Sequence, residues 1–324
     1  MKKFIIFIIC VTLLTGVALY VNHVFTKGED ENPVTNTINE VAKEVVIDTD
    51  PLYEKDEFPK IDASLATQPL AIAITKNFVA DVGETDEEVS EFLEFSNTHP
   101  AYIKLIDGEK DLIIVTEPSE EELAYAKEKG VELEVTPVVR EGFVFYVNAN
   151  NPINGLTIKQ IQDIYTGKIT NWKEVGGEDA EIVPFQRPEN SGSQTGMLSL
   201  VMKDLEIMEP KRENLVGSMF DIINLVSSYD NGLNSIGYSY YYYATTMFDT
   251  IDSTVAERIK FLAIDGIEPT NENIKNETYP LETAYYIVIR KDEPESSLAR
   301  KLKKDLLSDR GQAVAEEAKY VGVK

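Results

Sequence analysis

The chain has 324 residues, of which 43% are hydrophobic and 27% charged, and its formal net charge is −25. That length gives room for two domains, and 16 Tyr with 13 Phe supply material for real cores. The negative charge excludes nucleic acid as a partner, because its phosphates demand a basic face, and it disfavours adhesion to anionic lipid. The lone cysteine, Cys10, excludes an intrachain disulfide and a cysteine-cluster metal site, and no cofactor is expected.

Met1, Lys2 and Lys3 precede a run from Phe4 to Phe25 with no formally charged residue, long enough to cross a bilayer as a helix. Two readings of residues 1–26 stay open. One is an uncleaved transmembrane anchor with a cytoplasmic N-terminus; the other is a signal peptide cut near the small-x-small triplet Gly16–Ala18. Either way the body is expected to be extracytoplasmic, tethered to the cell membrane or released. Residues 27–57, which include Glu29, Asp30 and Glu31, read as an acidic linker.

From Phe58 the pattern alternates α and β. A short strand ends at Ile61, Pro69–Ile74 opens an apolar helix, and Ala101–Ile106 forms a second helix closed by Asp107 and Gly108. The continuous apolar run Asp111–Thr116 reads as a buried strand, and Pro118–Glu122 opens another helix. Val131–Val139 and Phe143–Val147 are strand-like, and Ile158–Tyr165 is a helix ended by Gly167. Asn214–Tyr229 reads as a helix, Ser235–Tyr238 and Thr283–Arg290 as strands, and Leu298–Ala318 as helices. This alternation predicts α/β architecture with parallel sheets covered on both faces, which bind ligands beyond the strand carboxyl ends.

The segment Pro184–Gly196 carries the most chemistry. Arg187 stands four residues before Ser191, Gly192 and Ser193, and an apolar stretch of helical character follows from Met197. A helix start offers outward N–H groups and partial positive charge; serines add hydroxyl donors, glycine allows close approach, and arginine adds a planar charged fork. An ordinary capped helix would show the same residues. However, candidate loops at Ser64, Thr98, Glu117 and Ser191 all precede predicted helices, which favours an oxyanion trap. Trp172 reads as a packing anchor, Tyr238–Tyr243 as a half-buried strand with hydroxyls at its wet edge, and His99 as a solvated loop side chain.

The stretch Ile164–Gly177, followed by Arg187, Ser191, Gly192 and Ser193, resembles the phosphate-binding solute receptors of phosphate ABC importers, within the periplasmic-binding-protein type II superfamily. The resemblance covers roughly Phe58 to the C-terminus. It implies two lobes, 58–136 with 246–324 and 137–245, joined by a hinge of two crossing strands. It also implies inorganic phosphate as ligand, ABC permease subunits as partners, a monomer, and no enzymatic activity.

Carried over residue by residue, it assigns the anion to Arg187, Ser191, Gly192 and Ser193 on one lobe, and to Ser64, the Leu65 backbone N–H and Thr98 on the other. Leu65 stands where the family has a hydroxyl residue. Thr116 aligns with a family carboxylate that accepts a proton from phosphate, which leaves the adjacent Glu117 as the candidate for that role. A membrane-anchored sensing or scaffold module, or a receptor for another oxyanion such as sulfate or molybdate, fits the same residues. A hydrolase using Ser191 would need a base that the sequence does not place beside it.

Overall fold

A computed structural model describes residues 50–228, 232–247, 254 and 257–324. The expected membrane segment 1–26, with Cys10, most of the linker and Tyr229 lie outside the described residues. No described helix is long and apolar enough to cross a membrane. Residues 50–57, read from the sequence as linker, pack on the body. The Leu52 and Tyr53 N–H groups donate to the Phe78 carbonyl at 2.7 and 3.0 Å, and the Tyr53 hydroxyl donates to Asp305 at 2.6 Å.

The main sheet runs in the order β1 (Ile61–Ala63), β2 (Leu112–Val115), β9 (Glu282–Arg290), β3 (Leu133–Asn148), β6 (Ser235–Tyr240), β5 (Val183–Pro184). Strands β7 (Ile259–Phe261) and β10 (Val321–Gly322) also pair with β3, while β4 (Gly155–Leu156) and β8 (Ala263–Ile264) form a separate pair. The ladders β1–β2 and β5–β6 are parallel, but β9 is antiparallel to both its neighbours, as are β6, β7 and β10 to β3. The sheet is therefore mixed rather than parallel as expected. Hydrophobic patterning located β2, β6, β9 and both halves of β3 but not the short β4, β5, β7, β8 and β10, and it does not encode that a late strand returns between β2 and β3.

Strand β3 ties the sheet together. Its residues Leu133–Gly142 pair with β9, and its residues Phe143–Val147 pair with β6. The phenyl and phenol rings of Phe143, Phe145, Tyr165, Tyr238 and Tyr240 pack edge-to-face or tilted about this crossing, with centroids 5.5–6.1 Å apart. Helices flank the sheet in chain order: α1 (Gln68–Phe78), α2 (Asp86–Ser90), α3 (Thr98–Ile106), α4 (Glu120–Lys129), α5 (Ile158–Tyr165), α6 (Gly192–Gly196), α7 (Met219–Ser227), α8 (Asn271–Lys275), α9 (Leu298–Leu306) and α10 (Asp309–Glu317).

Their sequences explain their bounds. Pro69 occupies the first turn of α1, whose buried face is Leu70, Ala71, Ile74 and Phe78. Helix α4 opens with a reciprocal Ser119–Glu122 capping box and ends at Gly130 in the left-handed region, φ 70°. Trp172 is buried and donates its indole N–H to the Asn234 carbonyl at 2.9 Å, a packing anchor as expected. The helix expected from Asn214 begins instead at Met219; a short 3₁₀ turn, Arg212–Asn214, precedes it, and Ser218 is its cap.

Where β3 passes from β9 to β6, Glu141 is buried and accepts the Gly142 and Tyr242 N–H groups at 2.8 and 3.1 Å. Burial raises its pKa to about 7 against these bonds, so the folded state holds the proton more tightly than the unfolded chain does. That contribution is complete below the usual carboxylate range and is lost as pH rises through about 7. Above that pH, ionised Glu141 costs up to about 3 kcal/mol. Glu141→Gln keeps an acceptor without the charge, so we expect its melting temperature to exceed wild type by several degrees at pH 8. At pH 5 the two should nearly coincide by calorimetric scan.

Candidate functional site

A cleft of about 410 Å³ gathers the starts of several helices. From the β1 side come Ser64 and Leu65, just ahead of α1; from α3 come Thr98 and His99; and Thr116 follows β2. Opposite them lie Arg187, Ser191, Gly192 and Ser193, with Gly217–Met219 at the start of α7 and with Tyr240 and Tyr243. Seven of the eight residues singled out in the sequence are thus brought together.

Arg187 is held by its backbone. Its N–H donates to the Tyr238 hydroxyl at 3.0 Å and to Gln194 Oε1 at 3.1 Å, and these two acceptors also bond each other. The guanidinium Nε and Nη1 are buried with no hydrogen-bond partner, and no carboxylate pairs with the side chain among the described residues. Burial pushes its pKa down from the ordinary arginine value, which nonetheless leaves the group cationic. A buried cation without a counter-charge costs several kcal/mol until an anion arrives.

Two hydroxyls share this condition: Ser193 Oγ and Thr116 Oγ1 are buried in the same cleft without partners. Ser191 caps α6 by accepting the Gln194 N–H at 3.3 Å, and the Tyr240 hydroxyl donates to the Gly192 carbonyl at 2.9 Å. Ser64 caps the turn that leads into α1, and its hydroxyl lies 3.0 Å from Thr67 Oγ1. Leu65 is exposed to the cleft and keeps its backbone N–H at that turn's open end.

Glu117 does not line the cleft. Successive residues of an extended chain face opposite sides, so Thr116 turns inward and Glu117 outward, where its carboxylate accepts the Ser199 hydroxyl. The sequence assignment of Glu117 to the anion is therefore corrected in favour of Thr116. His99 was passed over as solvated; it lines the cleft and its Nδ1 lies 3.0 Å from buried Glu122. Only the spacing of a capping box hinted at Glu122, and nothing in the sequence linked it to His99. The strand expected over Tyr238–Tyr243 ends at Tyr240 and Tyr243 opens a helical turn, and the sequence reading placed neither tyrosine in the cleft.

The converging donors form a candidate oxyanion site on an α/β scaffold. The chain belongs to the PBP superfamily, whose domain profile matches residues 84–310. Among similar proteins, the phosphate-binding protein PstS of Bacillus subtilis is 24% identical over 221 residues, covering 68% of this chain and 66% of that one. The phosphate-binding protein PstS of Staphylococcus epidermidis is 27% identical over 231 residues, covering 70% and 68%. The chain thus spans about two thirds of these relatives' length. A Clostridium perfringens substrate-binding protein solved with bound phosphate shares the fold, with TM-score 0.61, 24% identity, and coverage of 82% of this chain and 99% of that one. An ABC-type phosphate transport receptor from Vibrio cholerae aligns with TM-score 0.58 and 21% identity, covering 81% and 98%.

At Gly192 the two walls approach closely. A Cβ there would stand 2.5 Å from Thr116 Oγ1 and 2.7 Å from Thr98 Oγ1. Gly192→Ala should therefore force the walls apart and weaken oxyanion binding at least tenfold by calorimetry. Its melting temperature without ligand should stay within a few degrees of wild type.

Proposed function

We propose that this protein is a non-enzymatic extracytoplasmic receptor for inorganic phosphate that delivers its ligand to the permease of an ABC importer. The observation that carries the reading is the set of buried donors lacking partners: Arg187 Nε and Nη1, Ser193 Oγ and Thr116 Oγ1. A tetrahedral oxyanion satisfies them together, and charge-assisted bonds to Arg187 contribute about 1.5–3 kcal/mol each. The names of the curated relatives support phosphate as that anion.

In this reading the ligand contacts are Ser64, the Leu65 N–H, Thr98, Thr116, Arg187, Ser191, Gly192 and Ser193. Residues 58–136 with 246–324 form one lobe and residues 137–245 the other, and they close over the anion about a hinge. The change of β3 from β9 to β6 supports a hinge there, because one continuous strand then serves both lobes. Closure gives the permease a composite face to recognise. A tether through residues 1–26 would keep the receptor beside that permease, and the lobes act as a monomer.

Titration calorimetry of the full chain tests this. Wild type should bind phosphate, and Arg187→Ala should lower the affinity at least a hundredfold with an unchanged circular dichroism spectrum. Arg187→Lys, which keeps the charge but loses the fork, should fall between them. Equal phosphate affinity in wild type and Arg187→Ala would refute the assignment.

A further inference from the structure

The geometry points to His99 as a proton-controlled anion contact, which sets by pH whether a bound oxyanion must carry its own proton. This rests on the proposed phosphate-binding role of the cleft. His99 follows Thr98 at the start of α3 and lines the same cleft as Arg187 and Ser193. Its Nδ1 lies 3.0 Å from Glu122 Oε1. The Glu122 side chain is fully buried, and its other oxygen accepts the Ser119 N–H at 2.8 Å. Burial raises the Glu122 pKa against the bonds from Ser119 and His99; when ionised, this carboxylate accepts from Nδ1–H, which sets the tautomer with Nε2 as the ring's other polar atom.

The chemistry at Nε2 then depends on charge. In the neutral ring Nε2 carries a lone pair and only accepts, so it repels a fully ionised oxygen and rewards an oxyanion bearing an O–H. Once protonated, Nε2–H donates, and the cleft gains a second cation beside Arg187 that suits any oxyanion. The remaining polar groups at hand are the hydroxyls of Ser64, Thr98, Thr116 and Ser193, which can donate or accept, and the Arg187 fork, which only donates.

The charged groups around the ring come from both walls. Glu122 and the more distant Glu121, which is engaged by Asn190, lie on α4. Exposed Glu189 and Arg187 lie on the opposite wall. Glu117 stands behind Thr116 with Ser199. Burial raises the Tyr240 and Tyr243 hydroxyls above the ordinary tyrosine value, so both stay neutral throughout.

Sulfate is the probe, because it stays fully ionised across the range. Calorimetry on the full chain at pH 5 and pH 8.5 should show wild-type sulfate affinity at least tenfold tighter at the lower pH. In His99→Gln, which cannot titrate, the two values should agree within twofold, with a melting temperature matching wild type. The proposal is overturned if wild type binds phosphate but its sulfate affinity does not respond to pH, or if His99→Gln keeps the wild-type response. Failure of wild type to bind phosphate at either pH would instead refute the receptor reading, and this inference would fall with it.

Discussion

The site depends on one unbalanced charge. Arg187 carries a guanidinium whose Nε and Nη1 are buried without partners, and Asp221 acts on its charge without a direct bond to either nitrogen. Most buried cations are paired, because an isolated one is strongly destabilising. The fold sustains this one by anchoring the residue through its backbone, with Tyr238 and Gln194 fixing the Arg187 N–H while its side chain stays uncommitted. The surrounding polar atoms are arranged in the same way. Thr67 bonds the Ile114 carbonyl, whereas the Ser193 and Thr116 hydroxyls remain without such a partner.

This arrangement explains why the net charge of −25 is compatible with an anionic ligand. A surface of that sign repels phosphate at long range, but screening limits the field to roughly 8 Å at physiological salt. Inside the cleft the partners are fixed dipoles and a desolvated arginine, where the effective dielectric is low and screening by salt is weak. Capture is therefore local, and the acidic surface serves solubility rather than recognition.

Much of this was legible in the sequence, for physical reasons that are themselves local. Helix starts are written in short spacings: the Ser119–Glu122 capping box, Pro69 in the first turn of α1 and the Ser191-Gly192-Ser193 run each announce a helix N-terminus within a few residues. Arg187 was found because it lies close to that last run. What failed were inferences needing a partner far along the chain. The apolar run at Leu112–Val115 marks a buried strand but not that β9 pairs with it antiparallel. His99 looked solvated because its partner Glu122 lies on the next helix, and Tyr240 looked peripheral because Gly192, which its hydroxyl contacts, is 48 residues away. Glu117 failed differently: the loop was right, but one residue along an extended chain reverses the facing of the side chain.

The donors that await the anion come from segments with little sequence in common: the Ser64 loop, the start of α3, the end of β2 and the Arg187–Ser193 segment. Hydroxyls accept as well as donate, and Ser64 pairs with Thr67, but the Arg187 fork can only donate and the Ser193 and Thr116 hydroxyls are left open toward the cleft. Between them, at Gly192, the approach is so close that a single methyl group would collide with both Thr98 and Thr116. In the cleft without a ligand these open donors stand close together, and an anion between them converts that proximity into shared hydrogen bonds. A carboxylate placed beside Arg187 would supply the missing counter-charge within the chain itself, and would lower affinity by stabilising the empty site.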